Sequence, residues 1–218
     1  MARGAFAVEG YPVLVNLGGK SCLVVGGGRV AARKAVSLAQ AGARVLVVSP
    51  AVTPGLLSMA ETGVVSLRRR PYEPADLEGV FLVFAAADRR VNERVAAEAR
   101  ALGKPVNVAD DPALCDFFVP AVLRRGPLTV AVSTGGASPA LAARIRDHLA
   151  AFFPAGWGPF LEFLGEVRER LCREVGDPLK RRSLLEEMAG PLVWEKLDQG
   201  DFAAAKERVD LVYRGGGG

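Results

Sequence analysis

The chain has 218 residues, 50% of them hydrophobic and 24% charged, with a formal net charge of +4. No apolar run approaches the ~18 residues that a membrane span needs, and Met1 to Gly10 lacks the apolar core of a signal peptide. Three widely separated cysteines, Cys22, Cys115 and Cys172, predict a reduced cytoplasmic protein without a disulfide framework. His148 is the only histidine and no CxxC pair occurs, so no resident metal site is expected. Residues 1–150 carry 18 basic and 12 acidic side chains, against 10 and 12 in residues 151–218, so anions are expected to bind the first part. The basic residues are scattered and lack interleaved aromatics, which argues against nucleic acid.

The first element is the most informative. Cys22 to Val25 is an apolar run that ends in Gly26-Gly27-Gly28, and a helical pattern begins at Arg29. A strand, a tight turn and a helix N-terminus in that order hold a dinucleotide pyrophosphate. Gly26 permits the turn, Gly28 permits close approach of the phosphates, and Ala31 replaces the third glycine of the fingerprint. Further strands are predicted at 44–48, 64–67, 80–85, 105–109 and 128–132, and helices at 29–41, 52–62, 90–102 and 139–152. Continuous apolar strands alternating with helices predict a Rossmann-like, doubly wound parallel α/β sheet.

The second strand ends in Val47-Val48-Ser49-Pro50, where NAD-selective folds usually carry Asp or Glu. Ser49 hydrogen-bonds a ribose without repelling a 2′-phosphate, so these residues alone leave NAD and NADP open. Arg68, Arg69 and Arg70 read as a solvated face or as contacts for anionic substrate. Asp88 reads as a helix cap or as a group facing the cofactor, with Asn92 nearby. The strand Pro105 to Ala109 delivers Asp110 and Asp111 to the sheet edge where ligands of such folds bind. Asp110 is the candidate general base, and Asp111, before Pro112, reads as a turn residue.

Leu128 to Leu141 forms another strand, loop and helix. Ser138 is a good N-cap and Pro139 fits the first helical turn. Ser133, Thr134, Gly135 and Gly136 present hydroxyls and backbone N–H groups suited to an anion, although a capped turn without ligand fits equally well. Beyond residue 152 the apolar spacing becomes helical, and Gly215 to Gly218 read as a flexible end or linker remnant.

The GGGRVAARK loop, the NVADDP strand end, the CDFFVPAVLRRGPLTVAVSTGGASPALA block and the helical tail together resemble the precorrin-2 dehydrogenase and sirohydrochlorin ferrochelatase family, the N-terminal module of siroheme synthases. The resemblance covers about residues 10–213. It implies NAD-dependent oxidation of precorrin-2, a carboxylate-rich tetrapyrrole, to sirohydrochlorin, on the way to siroheme or cobalamin. It also implies an aspartate at Asp110 with a catalytic role, cofactor contacts at Arg29 and Val30 after the glycines and at Pro50 and Ala51, and a hydroxyl-bearing substrate loop at Ser133, Thr134 and Ser138. Arg124 and Arg125, flanking the strand into that loop, are candidate partners of substrate carboxylates. The domains expected are an NAD-binding domain over 1–113, a dimerisation and substrate-loop segment over 114–152, and a helical domain over 153–218. A cytoplasmic homodimer is implied, with the active site between the Rossmann and helical parts. Two alternatives stand beside this reading: a bifunctional enzyme that also inserts ferrous iron as a substrate, and a non-catalytic dinucleotide-sensing module.

Overall fold

Five short apolar segments pair in parallel: β1 (Ser21–Val25), β2 (Arg44–Val48), β3 (Ser66–Arg68), β4 (Leu82–Ala85) and β5 (Val106–Val108), in the order β3-β2-β1-β4-β5. The computed structural model describes residues 10–216. The expected Rossmann-like parallel sheet is therefore present.

Successive side chains of a strand point to opposite faces, and both faces here are covered. Val24, Val47 and Phe84 pack beneath α1 (Arg29–Gln40) and α2 (Pro54–Glu61). Leu23, Val25, Val48, Val83 and Ala85 pack against α3 (Arg89–Ala101) and the loop carrying Tyr72 and Leu77. Ala31, Ala35 and Leu38 are the buried stripe of α1, and their small size brings that helix close to the sheet.

No α-helix links β3 to β4. Pro71 and Pro74 interrupt the chain, and only a 3-10 turn, Pro74–Leu77, forms there. Asp76 in that turn is fully buried. Its Oδ1 accepts from Arg68 at 2.6 Å and from Arg70 at 2.7 Å, while its Oδ2 accepts from Arg70 at 2.8 Å and from the Glu73 backbone N–H at 3.0 Å. Neither reading of the arginine run anticipated this. Arg68 and Arg70 tie the 3-10 turn to the edge strand, and Arg69 is exposed without a carboxylate partner among the described residues.

A second correction concerns residues 128–132, expected as a strand of the parallel sheet. They form β7 (Leu128–Val132), paired antiparallel with β6 (Ala121–Arg125) in a separate two-stranded sheet. An apolar run of five residues does not state its partner, and the strand-forming character of 121–125 is masked by its two terminal arginines. The turn of the hairpin has Gly126 at φ +53°, and a Cβ there would stand 2.9 Å from the Gly158 Cα.

The chain divides into two compact units, with the boundary between Val119 and Pro120. The second unit contains the hairpin, α4 (Pro139–Phe152), α5 (Trp157–Glu174), α6 (Pro178–Met188), α7 (Pro191–Asp198) and α8 (Phe202–Gly216). Its core gathers Trp157, Phe160, Val167, Leu171, Met188 and Val193. The expected flexible end is helical through Gly216, and Gly217 and Gly218 lie outside the described residues, as does the region 1–9. Among the described residues, no helix is long and apolar enough to cross a membrane.

Burial opposes ionisation of Asp76, but Arg70, the Glu73 N–H and Arg68 outweigh it and hold the carboxyl below its usual range. Such a depressed group adds stability above its unfolded pKa, near 4, and loses that contribution as pH falls through the folded value. Asp76→Ala is expected to cost about 2 kcal/mol, the modest side for a broken buried pair because its arginines are partly exposed. That lowers Tm by roughly 4–8 °C at pH 7. The gap between variant and wild type should narrow as melts are taken to pH values below the unfolded pKa, near 4.

Candidate cofactor cleft and active-site edge

β1 ends in the glycine loop, and its three glycines do different work. Gly26 has φ +127°, and a Cβ there would lie 2.2 Å from the Ala86 carbonyl oxygen. A Cβ at Gly27 would lie 1.9 Å from the Ala51 carbonyl oxygen and 2.8 Å from the Ser49 Oγ. The loop is stitched to both neighbours, with the Gly26 N–H donating to the Val48 carbonyl and the Thr53 N–H to the Gly27 carbonyl, each at 2.9 Å. Gly28 is exposed, and nothing lies within 4 Å of a Cβ added to it.

Gly28 is also the N-cap of α1, where it offers no side chain to the helix amides. The first helical bond runs from the Ala32 N–H to the Gly28 carbonyl at 3.0 Å, which leaves the amides of Arg29, Val30 and Ala31 at the helix mouth. A bare helix N-terminus beside open space created by a missing Cβ suits a pyrophosphate.

The loop opens into a cleft of about 350 Å³ that Gly26, Gly27, Gly28, Ser49, Pro50 and Asp88 help to line. Ser49 is nearly buried, and its hydroxyl donates to the Ala51 carbonyl at 2.7 Å. Asp88 caps α3 by accepting from the Val91 N–H at 3.0 Å, so it fills its capping role and faces the cleft as well. Behind it, buried Asn92 clamps the Ala87 peptide, accepting from its N–H at 2.9 Å and donating to its carbonyl at 3.2 Å.

Sequence reasoning missed the far wall, formed by Tyr72 and Arg94. The Tyr72 hydroxyl donates to Glu98 at 2.7 Å, Arg94 donates to the same carboxylate at 2.8 Å, and the guanidinium lies 5.4 Å from the phenol ring centre. Burial first, then Glu98, pushes the Tyr72 phenol up, so it remains a neutral donor at physiological pH. Tyr72 belongs to the irregular stretch after β3, where no periodic pattern signals burial.

Asp110 follows β5 at the same carboxyl edge of the sheet. It is exposed, and at φ +61° it is the only non-glycine with positive φ among the described residues. Asp tolerates the left-handed region better than most residues, at a cost of about 1 kcal/mol. Ala109 continues the ladder by donating to the Ala85 carbonyl at 2.8 Å. Cys115 fastens the turn from beneath. Its Sγ accepts from the Val108 N–H at 3.2 Å and lies 3.3 Å from the carbonyl oxygens of both Val108 and Asp111. Burial, the largest influence, pushes that thiol up, so it stays protonated. Asp111 caps the following 3-10 turn, accepting from the Ala113 N–H at 3.2 Å, which is the turn role its sequence suggests.

The hydroxyl loop belongs to the second unit. Gly135 and Gly136 both adopt positive φ, +61° and +87°. Thr134 Oγ1 donates to the Ser138 carbonyl and accepts from the Ser138 N–H, both at 3.0 Å. Ser138 Oγ caps α4 by accepting from Leu141 at 3.1 Å, and exposed Ser133 accepts from the Gly135 N–H at 3.2 Å. Arg124 is exposed, whereas Arg125 spends its guanidinium on the carbonyls of Phe153 (2.9 Å) and Arg124 (3.0 Å). His148 lies exposed on α4 with its ring edge-on to Phe152 at 5.5 Å.

Comparison with known proteins fits this geometry. Residues 13–121 match a family described as "Putative NAD(P)-binding", and residues 125–151 match "Sirohaem biosynthesis protein central". The chain is 39% identical over 211 residues to a siroheme synthase of Methylobacillus flagellatus, covering 96% of this chain and 45% of that protein. It is 42% identical over 213 residues to a siroheme synthase of Nitrosomonas eutropha, covering 94% and 40%. The chain belongs to the siroheme synthase family. It spans less than half the length of these curated relatives. Among solved structures of the family, SirC, described as precorrin-2 dehydrogenase, superposes with a TM-score of 0.73 at 27% identity, covering 94% of this chain and 99% of that one.

The glycine loop yields a contrast between neighbouring residues. Gly28→Ala adds a methyl only into open space, so Tm is expected to stay within about 4 °C of wild type. Affinity for a nicotinamide dinucleotide, followed by calorimetric titration, is expected to fall at least about tenfold, since the methyl fills the open space at the helix mouth. Gly27→Ala drives a methyl into the Ala51 carbonyl and should lower Tm by roughly 4 °C or more before any ligand is added.

Proposed function

We propose that this chain is an NAD-dependent dehydrogenase that converts precorrin-2 to sirohydrochlorin. The observation that carries the reading is Asp110, an exposed carboxylate in a strained conformation on the same sheet edge as the glycine-loop cleft. Such strain persists where the surrounding structure over-determines it, and it clusters at active sites. The likeness to SirC over its full length supports the choice of substrate.

NAD, when bound, supplies the hydride acceptor. The chain's own residues do the rest. Open space at Gly28 and the amides of Arg29, Val30 and Ala31 receive the pyrophosphate. Ser49 already donates its proton to Ala51, so its remaining lone pairs accept from a ribose hydroxyl. That arrangement supports NAD over NADP. No cation stands between Val47 and Ala51 to meet a 2′-phosphate, and the nearest cleft arginine, Arg94, is already paired with Glu98. Asp110 takes the proton released as the macrocycle gains its new double bond.

On the substrate side, Ser133, the Gly135–Gly136 backbone and Arg124 are the groups left available, while Thr134 and Ser138 shape the loop from within. Arg125 serves the hairpin rather than the substrate. Leu141, Ile145 and Phe152 lie exposed at helical spacing on α4, which supports a homodimer formed through that face. Three free thiols fit a reducing, cytoplasmic setting.

A second reading adds insertion of ferrous iron, as substrate, into sirohydrochlorin, with Asp110 accepting the pyrrole protons. The siroheme synthase names of the relatives favour it. The assay is anaerobic: precorrin-2 with NAD or NADP, followed by the sirohydrochlorin spectrum and then by addition of ferrous ion. Sirohydrochlorin formed faster with NAD supports the dehydrogenase. Iron insertion above the enzyme-free rate supports the bifunctional form. No oxidation with either cofactor leaves the sensing module. Asp110→Asn keeps the left-handed tolerance and the shape of the side chain, so Tm and NAD affinity should hold while turnover falls about 10²-fold or more.

A further inference from the structure

β5 is an edge strand, and among the described residues no sixth strand pairs with its outer side. Its outward N–H and C=O groups therefore need other partners. The chain supplies them by returning after the 3-10 turn Pro112–Leu114 and laying Cys115, Asp116 and Phe117 along that edge. Asp116 meets Val106 twice, its N–H donating to the Val106 carbonyl at 2.8 Å and its Oδ2 accepting from the Val106 N–H at 3.0 Å. Cys115 meets Val108, its Sγ accepting from the Val108 N–H at 3.2 Å. Buried Asn107, the polar residue of the strand, donates to the Phe117 carbonyl at 2.9 Å, and the Phe117 ring packs edge-on against Phe84 of β4 at 5.3 Å.

These three residues form a strap, and the loop they close runs from Val108 to Cys115 with Asp110 inside it. Asp110 does nothing to hold its own place: among the described residues it makes no hydrogen bond or ion pair. On one side of it the Ala109 N–H is fixed to β4. On the other, the contact that reaches back to β5 is the Cys115 sulfur, 3.3 Å from the carbonyl oxygens of both Val108 and Asp111, which bracket Ala109 and Asp110. The bonds from the Ala113 and Leu114 amides to Asp111, each 3.2 Å, stay within the 3-10 turn. A left-handed aspartate without a bond of its own relaxes unless its surroundings over-determine it, and here the thiol bridges both ends of the turn.

We propose that Cys115 is a positioning residue for Asp110: its thiol, seated by the strap, closes the base of the loop and fixes the left-handed turn that presents the carboxylate. The inference rests on the dehydrogenase reading above. A serine or cysteine can accept and donate at once from one atom, which alanine cannot.

The test uses the full chain with Cys115→Ala and Cys115→Ser. Leu17→Ala serves as a destabilised control, because Leu17 is buried before β1, at the end of that strand away from the glycine loop. Tm, NAD affinity by calorimetry, and kcat and KM for precorrin-2 at saturating NAD are read anaerobically, well below every Tm. Cys115→Ala leaves the Val108 N–H without its acceptor and should lower Tm by about 4 °C. Its kcat should fall about tenfold or more, with KM and NAD affinity within about twofold, because a proton acceptor displaced by about an ångström fails in the chemical step. Cys115→Ser should bring kcat back to within about threefold of wild type. Leu17→Ala should lose as much Tm or more, with kcat within about twofold of wild type. Wild-type kcat in Cys115→Ala overturns the assignment, whatever its Tm. An equal fall in kcat for Leu17→Ala, or a fall shared with NAD affinity, overturns it too, since the thiol would then serve the fold at large. A Cys115→Ser chain at wild-type Tm that does not recover kcat would show that bonding at the loop base does not position the carboxylate. A wild-type chain that oxidises no precorrin-2, or Asp110→Asn at wild-type turnover, removes the reading beneath, and this inference with it.

Discussion

Two contacts between backbones, with no room for a methyl, set the geometry of the first unit. Gly26 lies against the Ala86 carbonyl and Gly27 against the Ala51 carbonyl. These approaches draw together the ends of β1, β2 and β4, the three adjacent strands at the centre of the sheet. Because the loop cannot widen, α1 starts immediately after it with its N-terminal amides aimed along the sheet edge. The cleft, the position of Ser49 under the loop and the placing of Asp88 above it all follow from that closure. An interior packed at crystal-like density transmits such a constraint rather than absorbing it.

The charges of this unit divide into those that hold the fold and those left for ligands. Arg68 and Arg70 spend themselves on buried Asp76, where a 3-10 turn takes the place of a crossover helix. Arg94 shares Glu98 with Tyr72 and stiffens the outer wall of the cleft. Arg100 reaches Asp116 at 3.1 Å, and the same carboxylate accepts from the Val106 N–H, so the strand carrying Asp110 is pinned at its other end. Arg29 and Arg33 on α1 stay exposed beside the glycine loop, so part of the positive excess of this unit lies next to the cleft.

Legibility in the sequence followed how local each signal is. The glycine loop and the strand end before Asp110 could be read as elements because strand, turn and helical turn follow one another within a dozen residues. Asp88 and Ser138 were readable as caps for the same reason. The far wall was not. Tyr72 and Arg94 meet through Glu98 across 26 residues, and Tyr72 comes from a stretch between two prolines with no period at all. The β6–β7 hairpin was half read, since its second strand is plainly apolar while its first ends in two arginines. One of those, Arg125, looked like a ligand for substrate because its charge was visible and its partner was not. That partner is a backbone carbonyl at Phe153, 28 residues away, and main-chain acceptors leave no trace in a sequence.

Asp110 breaks a local rule at the carboxyl edge of the sheet. Asp110 holds a left-handed backbone that glycine would adopt at no cost. The fold does not force an aspartate there, since β5 ends through another residue: Ala109 completes the ladder. Elsewhere in this unit local preference and global structure agree. Gly42 and Gly103 follow α1 and α3 with positive φ, and the buried strands are rich in valine. When a sequence is consistent nearly everywhere, its exceptions mark where something other than stability chose the residue. Here the exception sits on the turn closed by Cys115, at the carboxyl edge of the sheet where the glycine loop also opens.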